Sequence, residues 1–250
     1  MLWKLVSSII MGVLLTTGFF GLDNMLAREE KFHDVSLPID KKISLQPAWI
    51  WVYLLYYPFC FLPLLFPGVL ESNGLFLRIS AGFLFQFAVA WLVFYCFPTR
   101  ILHLEVPGTS LSTYALRGLY TVDTGYNICP SLHVANVFFV SCVATQFLPL
   151  SWCLSLFLLS GMIAASTLYI KQHLFLDVPA GLLLGLSAYI LILSGDGLRG
   201  GAQDLRLQIE LILLDLMGVG AAITVGLLVQ YAFGSSERED REVEMDEPKP

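Results

Sequence analysis

Charge is scarce in this sequence. Asp, Glu, Lys and Arg make up 14% of its 250 residues, where a soluble domain carries about 25%. Paired cysteine spacing is missing too. The five cysteines, Cys60, Cys96, Cys129, Cys142 and Cys153, show no C-x-x-C pair, and their number is odd. That excludes a disulfide framework or a zinc knuckle and leaves them as packing residues. There is no His-Glu-x-x-His either, so a zinc protease helix is absent. Basic residues are outnumbered, 14 Lys and Arg against 20 Asp and Glu, for a net charge of −6. Nucleic acid is therefore not an expected partner. Much of the acidic excess lies in residues 234–250, which have almost no apolar residues and are expected to be a disordered tail.

Long apolar runs are what the chain has in abundance. They cover residues 2–22, 47–66, 75–97, 132–148, 152–169, 175–193 and 211–233. About 20 apolar residues span a bilayer core as a helix. No run alternates with period two, which speaks against a transmembrane barrel. Trp3, Trp49, Trp51 and Trp152 stand at run ends, where amphipathic rings meet the headgroups. The expected fold is all-α: a multi-pass transmembrane bundle with a six-helix core and one extra C-terminal helix. Residues 1–233 form the membrane domain. The first run follows Lys4 like a signal peptide, but it is long and lacks a clean small-x-small site, so an uncleaved helix is expected. Residues 99–131 form the longest internal loop. The Lys and Arg distribution leaves the orientation open.

The chemistry collects at two helix ends. Between residues 134 and 195 the groups charged or titratable near neutrality are Lys171, His173 and Asp177. Ionisable groups at membrane depth are costly and point to function. His173 and Asp177 are four apart, so on a helix they share a face. The carboxylate can fix one imidazole tautomer and leave the other nitrogen free to attack. The plainer reading is an ion pair at a helix end. The second group is Asn127-Ile128-Cys129-Pro130-Ser131-Leu132-His133. A helix starting at Pro130 or Ser131 offers free N–H groups to a phosphate. The Ser131 hydroxyl adds a donor, and His133 is placed to protonate a leaving oxygen. Together the two groups make a site for in-line attack on phosphorus, on one side of the membrane.

These residues carry a resemblance. The first group, and Ser166-Thr167-Leu168-Tyr169-Ile170-Lys171-Gln172-His173-Leu174-Phe175-Leu176-Asp177 with its Ser-x6-His-x3-Asp spacing, resemble the type 2 phosphatidic-acid phosphatase superfamily. This is the fold shared by lipid phosphate phosphatases and vanadium haloperoxidases. Leu132 before His133, Lys171-Gln172-His173, and the earlier Leu37-Pro38-Ile39-Asp40 look like the inositol-phosphorylceramide-synthase branch. The similarity covers about residues 37–194. It implies a phosphatase or phosphotransferase acting on lipid phosphate esters through a phosphohistidine. His173 would be the nucleophile, Asp177 its orienting acid and His133 the general acid. Ser131 and Ser166 would join the phosphate-binding set. No metal or cofactor is implied, and the partners are membrane lipids.

Two family features are absent. The Lys-x6-Arg-Pro motif has no counterpart, and Pro98-Thr99-Arg100-Ile101-Leu102-His103 stands in its region. Thr167 occupies the place of the arginine that follows the motif serine. Lys171, Arg100 and Arg117 are the cations available as replacements. Phosphoryl chemistry rests on electrostatics, so their loss keeps an inactive scaffold of the same fold in play. An anion- or proton-coupled transporter is the other alternative, although no inverted repeat supports it. The lipid, the acceptor, the membrane and the oligomeric state are left open.

Overall fold

The computed structural model describes residues 2–26, 32–123 and 125–193. The apolar run 211–233 and the acidic tail 234–250 lie outside them. The described chain is all-helical. Its extended pairing is limited to two isolated bridges, His33 with Thr99 and Arg100 with Tyr126. The helices are α1 (Leu2–Leu26), α2 (Ile50–Leu54), α3 (Tyr56–Phe61), α4 (Asn73–Cys96), α5 (Leu111–Val122), α6 (Leu132–Ala144), α7 (Leu150–Tyr169) and α8 (Asp177–Leu193). Three helical segments are long and apolar enough to cross a membrane: Pro47–Leu65, Asn73–Cys96 and Leu150–Tyr169. Leu65, Leu77, Leu92, Trp152 and Leu183 project outward from the helices. Such a large apolar exterior suits hydrocarbon better than water.

Each of the six apolar runs within the described residues is helical, with one difference of form. Residues 47–66 are not one continuous helix. They divide into a 3-10 turn at Pro47–Trp49, then α2, α3 and a second 3-10 turn at Leu62–Leu65. Pro58 and Pro63 explain this. Proline brings no N–H to the helix ladder, and its ring crowds the carbonyl four residues earlier. A second difference is α5, which lies inside the expected 99–131 loop. Ser110 caps it by accepting from Thr113 N at 3.3 Å. Leu116 is fully buried on its inner face, against α2 and the Pro47–Trp49 turn.

The core forms around α6. Every residue of this helix except His133 is buried. It packs against α4, α7 and α8. Contact with α8 is at backbone distance. A Cβ on Gly181 would stand 2.5 Å from the Ser131 carbonyl oxygen, and one on Gly185 would overlap the Ala135 carbonyl. Small residues at a four-residue spacing let two helices approach this closely. The approach sets the start of α8, with Asp177, beside the start of α6, with His133. Ser131 N donates to the Asp177 carbonyl at 3.2 Å.

Lys4 ties α1 to this assembly. It is buried, and its ammonium donates to the carbonyls of Leu70 at 2.7 Å and Val69 at 3.2 Å. Those carbonyls lie in the turn leading to α4, so backbone dipoles face the ammonium.

Candidate active site

The start of α6 presents one histidine. Ser131 is the N-cap, and its Oγ accepts from Val134 N at 3.3 Å. This is what a serine at a helix start ordinarily does. Its hydroxyl is fully buried at the cap and does not line the cavity. His133, two residues on, does.

The turn between α7 and α8 presents the other. Thr167 O accepts from Gln172 N at 2.9 Å and from His173 N at 3.2 Å. Lys171 adopts a left-handed conformation, φ 53°, which reverses the chain at the helix end. Three outside contacts hold this turn. Tyr120 Oη donates to the Ile170 carbonyl at 2.5 Å. Lys171 Nζ donates to the Asp40 carbonyl at 2.9 Å. The Asp40 carboxylate accepts from Phe175 N and, through its other oxygen, from Leu37 N, each at 2.7 Å. The segment 37–40 is thus a brace for the histidine turn.

The two imidazoles meet. His133 Nδ1 and His173 Nε2 are 3.2 Å apart. His173 Nδ1 is 2.8 Å from the Ile128 carbonyl oxygen and 3.3 Å from Asp177 Oδ2. Asp177 is fully buried. The same Oδ2 accepts from Leu174 N at 2.7 Å. His133 Nε2 is 2.8 Å from Tyr53 Oη. One fact fixes the proton order in the neutral pair. A carbonyl can only accept, so His173 Nδ1 carries a hydrogen. Its Nε2 then holds the lone pair and accepts from His133 Nδ1–H. His133 Nε2 in turn accepts from the Tyr53 hydroxyl. The lone pair of His173 Nε2 is therefore directed at the neighbouring ring.

That hydrogen bond has a geometric consequence. At 3.2 Å there is no space for a phosphate on the line joining the two nitrogens. A bound phosphoryl group has to replace the bond. It would enter from the adjoining cavity of about 110 Å³, which both histidines line.

Tyr53 was not legible as a site residue. It sits on α2, 80 positions from its partner, inside an apolar run where a tyrosine reads as membrane packing. Its ring and that of Tyr56 also flank the His133 ring, at centroid distances of 4.9 and 4.4 Å. Asp123 and Gln172 line the same cavity and were likewise missed. Gln172 Nε2 lies 3.4 Å from His103 Nε2. His103 stacks on Tyr120, and burial lowers its pKa while Asp123 opposes the shift.

The expected replacement cations do not line this cavity. Arg117 donates to the carbonyls of Val106 and Gly108, at 2.6 Å each through Nη2. Arg100 stands over the rings of Tyr126 and Phe32, at 5.2 and 5.8 Å. Lys171 is committed to Asp40, and burial lowers its pKa against the pull of the Asp40 charge. Ser166 is fully buried on α7, where its Oγ donates to the Ile163 carbonyl at 2.6 Å. This is the small-residue packing role. Cys129 stands close to the histidine turn, but burial first, and the Asp177 charge second, push its pKa up to about 12. A thiol held protonated is a poor nucleophile. Among the described residues no three of His, Cys, Asp and Glu are grouped to hold a metal ion.

A second, larger cavity of about 410 Å³ adjoins the first. It runs beside α1, α3 and α4 and is lined mainly by apolar side chains. Thr16, Tyr56, Tyr57 and Phe87 line both. Comparison with family models, with curated proteins and with solved structures finds no match to this chain.

Proposed function

We propose that this chain is a multi-pass membrane enzyme that transfers the phosphoryl group of a lipid phosphate ester through a phosphohistidine on His173. One observation carries the reading: two histidines from distant segments meet at 3.2 Å beside a cavity, and the outer nitrogen of one is held by a carbonyl and a buried carboxylate. A packing histidine needs a partner for its ring, not two reactive nitrogens turned toward each other. Three helical segments long and apolar enough to cross a membrane support the bilayer setting, and the site stands at one end of α6.

The chemistry follows from the proton order. His173 Nε2 gives its lone pair to phosphorus, and the bond from phosphorus to the leaving oxygen breaks. That oxygen keeps the electron pair and takes a proton from His133 Nδ1. For this step His133 has to carry a proton on both nitrogens. A negatively charged phosphate entering the pocket favours that imidazolium. Tyr53 Oη suits both states, since a phenol donates to Nε2 of the neutral ring and accepts from Nε2–H of the charged one. In the second step water or an alcohol attacks phosphorus, His133 takes its proton, and His173 is released. Asp177 and the Ile128 carbonyl keep His173 Nδ1–H in place throughout.

The inactive scaffold of the same fold is the second reading. It is favoured by one observation, the lack of any Lys or Arg among the described cavity-lining residues. A panel of lipid phosphates, assayed for free phosphate and for transfer to inositol, ceramide or diacylglycerol, separates the two. Turnover that disappears in His173→Ala supports the enzyme. No turnover on any member supports the scaffold.

A further inference from the structure

We infer that the histidine cavity is built for a zwitterionic phosphodiester lipid, with its phosphate at His173 and a quaternary or primary ammonium beside Asp123. This rests on the phosphoryl-transfer reading and names its substrate class.

The charge pattern is the starting point. Apart from the two histidines, Asp123 is the one ionisable acid or base, other than tyrosine, among the described lining residues. A phosphate monoester brings up to two negative charges. It would meet a carboxylate, with Arg117 and Lys171 bound to carbonyls elsewhere and Arg100 stacked over Tyr126 of the cavity wall without lining the cavity itself. A diester brings one negative charge, and an ammonium headgroup carries its own counter-charge into the pocket. The absence of Lys and Arg among the described lining residues and the presence of a carboxylate then have one explanation.

Three further features place the ammonium at Asp123. Asp123 is the C-cap of α5, and its N–H donates to Leu119 O at 2.9 Å. The negative end of that helix therefore faces the cavity, which Leu119 and Val122 also line. Gly125 N donates to Asp123 Oδ1 at 2.9 Å and fixes the carboxylate. Tyr57, Phe87 and Phe94 line the cavity with aromatic surface, which attracts quaternary ammonium. The larger apolar cavity then receives an acyl chain, because it adjoins the first and shares Tyr57 and Phe87 with it. This points to a lipid rather than a soluble phosphodiester.

The test is binding to the full-length His173→Ala protein in a non-ionic detergent, so that turnover plays no part. Dodecylphosphocholine should bind about tenfold tighter than dodecyl phosphate, the magnitude of one partly desolvated cation contact. Adding Asp123→Asn should abolish that difference, and asparagine keeps the acceptor for Gly125 N, so the turn survives. Free phosphocholine should bind more weakly than its dodecyl ester. Dodecyl phosphate binding as tightly as dodecylphosphocholine would overturn the assignment, as would Asp123→Asn weakening both ligands alike. Equal binding of free phosphocholine would overturn the lipid part. Failure of the enzyme reading shows differently: the headgroup preference would be present while the wild-type protein neither released phosphocholine from a choline phosphodiester lipid nor transferred it to an alcohol.

Discussion

At the scale of single residues, the site turns on which nitrogen holds which proton. In the proposed reaction His133 protonates a departing oxygen, so its value depends on how much help that oxygen needs. His133→Ala should therefore cost far more on a lipid ester, with its poor alkoxide leaving group, than on nitrophenyl phosphate. Equal losses in kcat on both substrates would remove the general-acid role. Tyr53→Phe removes the partner of His133 Nε2 and leaves a partly buried ring nitrogen unmatched, at a cost of about 1–3 kcal/mol. Its rate loss should be about tenfold or more on the lipid ester, smaller on the nitrophenyl ester, and accompanied by a shift of the pH profile. A packing role for Tyr53 would lower stability and leave that profile in place. The pairing of His133, His173 and Asp177 was legible because two motifs, with fixed internal spacing, stand at the starts of apolar helices. Tyr53, Asp123 and Gln172 were not, since spacing says nothing about which distant segment folds over a helix end. The cations misled for a related reason. Lys171 is two residues from His173, but the left-handed turn at Lys171 sends its side chain to the Asp40 carbonyl instead.

At the scale of elements, apolar run length identified the helices well and their breaks poorly. The 47–66 run contains Pro58 and Pro63, and these divide it into short helices and 3-10 turns. The division places Tyr53 before a break and Tyr56 and Tyr57 after it, so that all three reach the histidine cavity. Helix α5 was hidden because it is only twelve residues long, and an amphipathic stretch that short resembles a loop. The segment 37–40 was recognisable as a motif, but its work was not. Asp40 braces the turn that carries His173 by accepting from Phe175 N and Leu37 N. Asp40→Ala leaves two amides without an acceptor, and the midpoint of thermal unfolding should fall. Turnover should fall with it, because the His173 ring loses its fixed position against His133. Asp40→Asn keeps an acceptor oxygen and should lie between the two. Unchanged turnover in a folded Asp40→Ala protein would show that the turn is held by other contacts.

At the scale of the whole molecule, helix packing brings the two histidines together. The close approach of α8 to α6 at Gly181 and Gly185 sets two histidines side by side, and in the proposed reaction one of them takes the place of a metal-activated water as the attacking group. Activity should therefore survive EDTA, and a loss that zinc alone restores would transfer the site to metal chemistry. The most direct measurement is to trap the intermediate. The purified protein is mixed with a phosphorus-labelled lipid substrate from the panel, quenched in base, digested and mapped. The label should lie on His173, be stable in base and labile in acid, and be absent from His173→Ala. Turnover of that substrate with no label on His173, or with a base-labile label on another residue, would contradict the account.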